Sequence, residues 1–130
     1  MRSQANRTVN DPKPTILVVD DDVLSLELYT RELSSNYRVI ACKQIEEAQR
    51  YVRSTPLTAV ILEPAMNDDD GWLLLKEIHA SLPSFPVIVC SVLDDRKVGF
   101  EQGAEAFLVK PVLPTALHAL IDKIVSQRFA

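Results

Sequence analysis

From Thr15 onward, short continuous apolar runs alternate with segments whose apolar residues recur every three or four positions. Ile16-Leu17-Val18-Val19 has no polar face, the pattern of a strand covered on both sides. Val23 to Ser34 follows with Val23, Leu24, Leu26, Leu28 and Leu33 in roughly helical spacing. Tyr37 to Cys42 reads as a second strand. Gln44 to Ser54 reads as a helix with Ile45, Ala48 and Val52 on one side, stopped by Pro56. Ala59 to Leu62 is the third strand, followed by an acidic loop to Gly71 and a helix through Trp72, Leu74, Leu75 and Ile78. Pro83 and Pro86 bracket the turn into a fourth strand, Val87 to Cys90. Arg96 to Gln102 allows at most two helical turns, with Gly103 placed as a C-terminal cap. Ala106 to Val109 is the fifth strand. Pro114 then stands at a first helical position, ahead of the apolar stripe Leu117, Leu120, Ile121, Ile124 and Val125.

Five strands alternating with five helices predict a parallel sheet with helices on both faces, because each parallel pair needs a right-handed crossover. The fold class is therefore doubly wound α/β. Two strand orders are common in that class, and the alternation does not choose between them; in both, ligands bind at the carboxyl ends of the strands.

Length and composition narrow this further. A chain of 130 residues that is 47% apolar suits one domain with a core of ordinary size. Residues 1–14 are polar, contain Pro12 and Pro14 and lack periodicity, so they are expected to form a flexible leader ahead of a domain over 15–130. Arg2, Arg7 and Lys13 are the leader's cations. The net charge of -4 offers no basic footprint for nucleic acid or an anionic membrane. No apolar run approaches the roughly 18 residues needed to span a bilayer, and no secretory signal is present, so a cytoplasmic location is expected. Cys42 and Cys90 end apolar runs and are expected to be buried, reduced thiols.

Chemistry-bearing residues collect just past four strand ends: Asp20, Asp21 and Asp22 after the first, Glu63 after the third, Ser91 after the fourth, and Lys110-Pro111 after the fifth. This set, with the loop Ile61-Leu62-Glu63-Pro64-Ala65-Met66-Asn67-Asp68-Asp69-Asp70-Gly71, resembles the receiver domain of two-component response regulators. The resemblance runs from Thr15 to about Ser126 and implies the flavodoxin-like order 2-1-3-4-5. It casts Asp20 and Asp21 as the acidic pair, Ser91 and Phe107 as the switch positions, and Lys110 as the phosphate-contacting lysine. The Lys110-Pro111 bond is then expected to be cis. A phosphoryl group would pass from a phosphohistidine to a carboxylate, with Mg2+ held by the acids and the backbone carbonyl of Ala65. A histidine kinase, a phosphotransfer protein or another signalling protein is the implied partner, with a homodimer also in view. No other cofactor is implied, and the module would be a regulator, not an enzyme.

One position departs from that pattern in a way that changes the outcome. The family's acceptor is aspartate, and here it is Glu63. Acidity does not separate the two side-chain types, but reach does. An added carbon-carbon bond of ~1.5 Å pushes the carboxylate into the space of an incoming phosphorus, and misplacement by ~1 Å can lower a rate ~100-fold. The expectation is an atypical receiver that is not phosphorylated in the usual way, binds Mg2+ weakly at most, and acts through protein interaction. The alternative is a phosphorelay receiver still modified at or near Glu63. The displaced carboxylate is expected near Lys110 and Ser91, partly imitating an acyl phosphate while carrying one charge against ~1.5 to 2.

Smaller departures add expectations. Asn67 replaces the family's usual proline and is expected to loosen the loop, with Asp68 and Asp69 as solvated acids. Val92 narrows access to the site, and the fourth helix is short. His79 and His118 are expected to be solvated, and Trp72 to pack. A flavodoxin-like nucleotide or flavin site would present phosphate-cradling amides after the first strand, where this chain has three aspartates.

Overall fold

A computed structural model describes residues 13–128. The elements run β1 (Thr15–Val19), α1 (Val23–Leu33), β2 (Arg38–Cys42), α2 (Ile45–Ser54), β3 (Ala59–Leu62), α3 (Met66–Ser81), β4 (Val87–Ser91), α4 (Arg96–Glu101), β5 (Ala106–Val109) and α5 (Pro114–Arg128). The five strands form one parallel sheet in the order β2-β1-β3-β4-β5. Of the two doubly wound orders left open by the alternation, this is the flavodoxin-like one.

Each sheet face carries its own apolar layer. Leu17, Val19, Val60, Leu62 and Val89 point to the side covered by α2, α3 and α4, where Ala48, Leu74, Leu75 and Ile78 meet them. Ile16, Val18, Ile61, Ile88 and Cys90 point to the other side, against Leu26 and Leu33 of α1 and Leu117, Ile121 and Ile124 of α5. Successive strand residues thus feed opposite cores, which is why those runs contain no polar position. Trp72 packs against the first layer as expected.

Local chemistry sets the ends. Asp22 caps α1 by accepting from Ser25 N–H at 3.3 Å and Ser25 Oγ–H at 2.6 Å. Gly103 follows α4 with φ +112°, a conformation that suits glycine. The sheet is joined already at Pro14, whose carbonyl accepts from Arg38 N–H at 2.8 Å. Of the expected leader, residues 1–12, with Arg2 and Arg7, lie outside the described residues.

Two expectations are corrected. Asn67 was expected to loosen its loop. Instead Asn67, Asp68 and Asp69 take left-handed φ of 47°, 57° and 70° inside the segment assigned to α3, and Asn67 N–H donates to Asp21 Oδ2 at 3.1 Å. Asparagine and aspartate tolerate this region, whereas proline can neither adopt that φ nor donate. The second correction concerns His118, which is not solvated. Its Nδ1 lies 2.8 Å from Glu32 Oε2 and its Nε2 3.6 Å from Asp122 Oδ1, with the Tyr37 ring edge-on at 6.0 Å. The ring links α1 to α5. His79 is exposed, as are Asp68 and Asp69.

Candidate functional site

Parallel strands end on one edge, and the ladder extends one residue past β1, β3 and β5 to fix the site's backbone. Asp20 N–H donates to Cys42 carbonyl at 3.0 Å, Glu63 N–H to Val19 carbonyl at 3.0 Å, and Lys110 N–H to Ser91 carbonyl at 2.7 Å. With Val19 paired to Leu62 and Ser91 to Val109, the next residues of those strands fall side by side. Asp20, Glu63 and Ser91 are buried, at 2%, 4% and 2% exposure. The Lys110-Pro111 peptide bond is cis.

Burial of charge demands partners, and the site supplies them internally. Lys110 Nζ donates to Asp20 Oδ2 at 2.7 Å and lies 3.4 Å from Glu63 Oε1. Asp20 Oδ1 accepts from Asp22 N–H at 2.9 Å. Burial pushes the Asp20 carboxyl up from the usual aspartate range, against the opposing pull of Lys110. For Lys110, burial works to lower the ammonium, but the hydrogen bond it donates to Asp20 and the charges of Asp20 and Glu63 outweigh it and hold it raised.

Glu63 is satisfied almost wholly by main chain. Oε1 accepts from Val92 N–H at 3.1 Å and Oε2 from Ala65 N–H at 3.2 Å. The expected closeness to Ser91 takes a different form: Glu63 reaches the amide after Ser91, while Ser91 Oγ accepts from Leu93 N–H at 3.3 Å. Phe107 lies in the layer under α4, its ring beneath Gly99. Asp21 is exposed at the rim and holds Asn67.

An open pocket of about 180 Å3 lies between Asp20, Asp21, Glu63, Ala65, Val92 and Lys110. These oxygens are the right kind for a hard cation such as Mg2+. Their positions do not form a ready cage: Lys110 holds Asp20, Glu63 faces two amides, and Ala65 carbonyl accepts from Asp69 N–H at 3.3 Å. Among the described residues no group of three His, Cys, Asp or Glu side chains is placed to hold a metal ion. As placed, the residues do not fit a divalent ion.

Sequence alone therefore located Asp20, Asp21, Glu63, Ser91 and Lys110 on one edge and missed the amides of Val92 and Ala65. No residue type marks a main-chain donor, so nothing in the sequence pointed to them. Beside the pocket lies a groove of about 360 Å3 lined by Leu24, Leu28, Tyr29, Val92, Pro111 and Val112.

Residues 16–122 match the family described as the response regulator receiver domain. The chain is 33% identical over 115 residues to the transcriptional regulatory protein CssR of Bacillus subtilis, covering 85% of this chain and 51% of that protein. It is 30% identical over 133 residues to the two-component response regulator ORR3 of Oryza sativa subsp. indica, covering 95% and 99% respectively. The chain thus spans about half of the first relative and nearly all of the second. Among solved structures, the BeF3-activated DrrB receiver domain superposes with a TM-score of 0.79 at 28% identity, over 88% of this chain and 98% of that one. The non-phosphorylated HemR receiver domain of Leptospira biflexa gives 0.79 at 29% identity, over 88% and 95%.

Proposed function

The chain belongs to the response regulator receiver family of two-component signalling, and on that premise we propose that it is an atypical member, unphosphorylated at Glu63 in the usual way, that acts by binding other proteins. The observation that carries this reading is the state of the Glu63 carboxylate. A nucleophilic oxygen must be free to meet phosphorus at roughly 3 to 3.5 Å. Both oxygens of Glu63 instead accept amide hydrogens, and Lys110 stands 3.4 Å away. Each oxygen keeps a further lone pair, but two amides and Lys110 fix the carboxylate's direction in a residue that is 4% exposed, so it has little freedom to turn toward an incoming phosphorus.

The role we assign is regulatory and not enzymatic, in keeping with a receiver-domain family of signalling modules. The strand-end rim supplies a docking surface for a histidine kinase, phosphotransfer protein or other signalling partner. There Leu24, Val92, Leu93 and Leu113 are exposed beside Asp21, Asp22, Asp94 and Asp95. Exposed apolar side chains with acids close to them in the chain suit a partner with a basic, apolar face. Among the described residues no helix is long and apolar enough to cross a membrane; the cytoplasmic location is part of the proposal.

The second reading, a relay receiver still modified at Glu63, draws on the retained Asp20 and Lys110 and on the open pocket beside them. Incubation with a small phosphodonor and Mg2+, followed by intact mass measurement, separates the two. The expected spectrum has no species heavier by one phosphoryl group; such a species mapped to Glu63 overturns the proposal.

A further inference from the structure

Glu63 joins three segments that are far apart in the chain: its own loop through Ala65, the end of β5 through Lys110, and the segment after β4 through Val92. The last contact stands alone. Leu93 N–H donates to Ser91 Oγ at 3.3 Å, Asp95 N–H to Leu93 carbonyl at 3.0 Å, and Arg96 to Asp94, all within the segment or to the β4 and α4 residues that adjoin it. Among the described residues, Val92 N–H to Glu63 is the one hydrogen bond that ties residues 92–95 to a part of the chain beyond the adjoining β4 and α4. Packing does not hold them either, since Val92 is 61% and Leu93 53% exposed.

We propose that Glu63 is a built-in tether that fixes the segment after β4 without any covalent signal. The inference rests on the reading of Glu63 as an unmodified acceptor position. An aspartate is shorter by ~1.5 Å, so its oxygens fall out of hydrogen-bond range of an amide that Glu63 reaches at 3.1 Å. A phosphoryl group on such an aspartate would restore acceptor oxygens toward the same donors. What an aspartate receives by modification, this chain encodes as one methylene. The segment bearing the exposed Val92 and Leu93 is thereby kept in one position, presented to a partner at all times.

Amide hydrogen exchange followed by NMR tests the tether, because a lone hydrogen bond in an otherwise exposed segment governs protection there. In Glu63→Asp the Val92 amide should exchange at least about tenfold faster than in the wild type, with the β4 amides of Ile88 and Val89 unchanged as a check on folding. Glu63→Gln keeps one acceptor oxygen and places an amide donor against the other N–H, so its Val92 exchange should fall between the two. Adding phosphodonor and Mg2+ to Glu63→Asp should slow Val92 again in the fraction that mass measurement shows to be modified. Equal Val92 exchange in wild type and Glu63→Asp, both folded by the β4 check, overturns the tether. So does a modified Glu63→Asp protein whose Val92 still exchanges fast. Phosphorylation of the wild type, with Val92 still dependent on Glu63, would defeat the functional reading and leave the tether standing.

Discussion

Gly71→Ala places a methyl group where three main-chain atoms already stand. Its Cβ would lie 2.5 Å from Pro64 Cα, 2.7 Å from Glu63 carbonyl oxygen and 2.7 Å from Pro64 carbonyl oxygen. Two effects oppose each other. Alanine in a helix is favoured over glycine by up to ~1 kcal/mol, while overpacking costs ~1 to 3 kcal/mol. None of the three atoms belongs to a side chain that could rotate away, so the larger end of the steric term applies, and a net loss of ~1 to 2 kcal/mol is expected. For a domain of this size that corresponds to a fall in Tm of ~3 to 10 °C. Relief requires the Glu63-Pro64 backbone to retreat by about 0.5 Å, to reach the 3.0 Å below which real Cβ contacts essentially do not occur. The same movement strains the Glu63 to Ala65 contact. Thermal unfolding followed by circular dichroism reads the effect. A variant as stable as the wild type, or more stable, would show that helix propensity wins and that the loop does not press on α3 as described.

Lys110→Met should destabilise by ~3 to 5 kcal/mol at neutral pH, because it leaves Asp20 and Glu63 buried without their cation. Burial already raises the Asp20 carboxyl, and losing Lys110 raises it further, so the variant's deficit should shrink as acid protonates Asp20. The raised Lys110 ammonium contributes in full below the unfolded lysine range and is lost only as alkali titrates it, so the wild type should show no loss from this group near neutrality. Urea unfolding at neutral and acidic pH measures both, and a deficit independent of pH contradicts the assignment. Asn67→Pro should cost ~1 to 3 kcal/mol, since proline can neither take φ of 47° nor donate to Asp21; an unchanged urea midpoint would refute this. Burial pushes the thiols of Cys42 and Cys90 up to about 12, so neither should react with a thiol-selective disulfide at mildly alkaline pH until denaturant is added. Rapid labelling of the folded protein would contradict that.

The architecture was legible because runs such as Ile16 to Val19 and Val87 to Cys90 lack any polar face, which only a doubly covered strand permits. Strand order was not contained in that periodicity and came from the resemblance carried by the strand-end residues. The same geometry made Asp20, Glu63, Ser91 and Lys110 readable as one cluster, since parallel strands deliver their ends to a common edge. What sequence could not display was how Glu63 is satisfied, because the Val92 and Ala65 donors are main chain. The left-handed run over Asn67 to Asp69 escaped notice because proline was the reference, and asparagine looked like lost rigidity when it supplies both a tolerated φ and a donor to Asp21. His118 escaped because Glu32, on another helix, is distant in sequence.

A single paired measurement bears most directly on the central claim that the longer acid at position 63 is engaged by its own protein and so closed to phosphorus. Wild type and Glu63→Asp are treated side by side with the same phosphodonor and Mg2+ and weighed intact. The account predicts a phosphoryl adduct on the variant and none on the wild type. Equal modification of the two at residue 63 would contradict it.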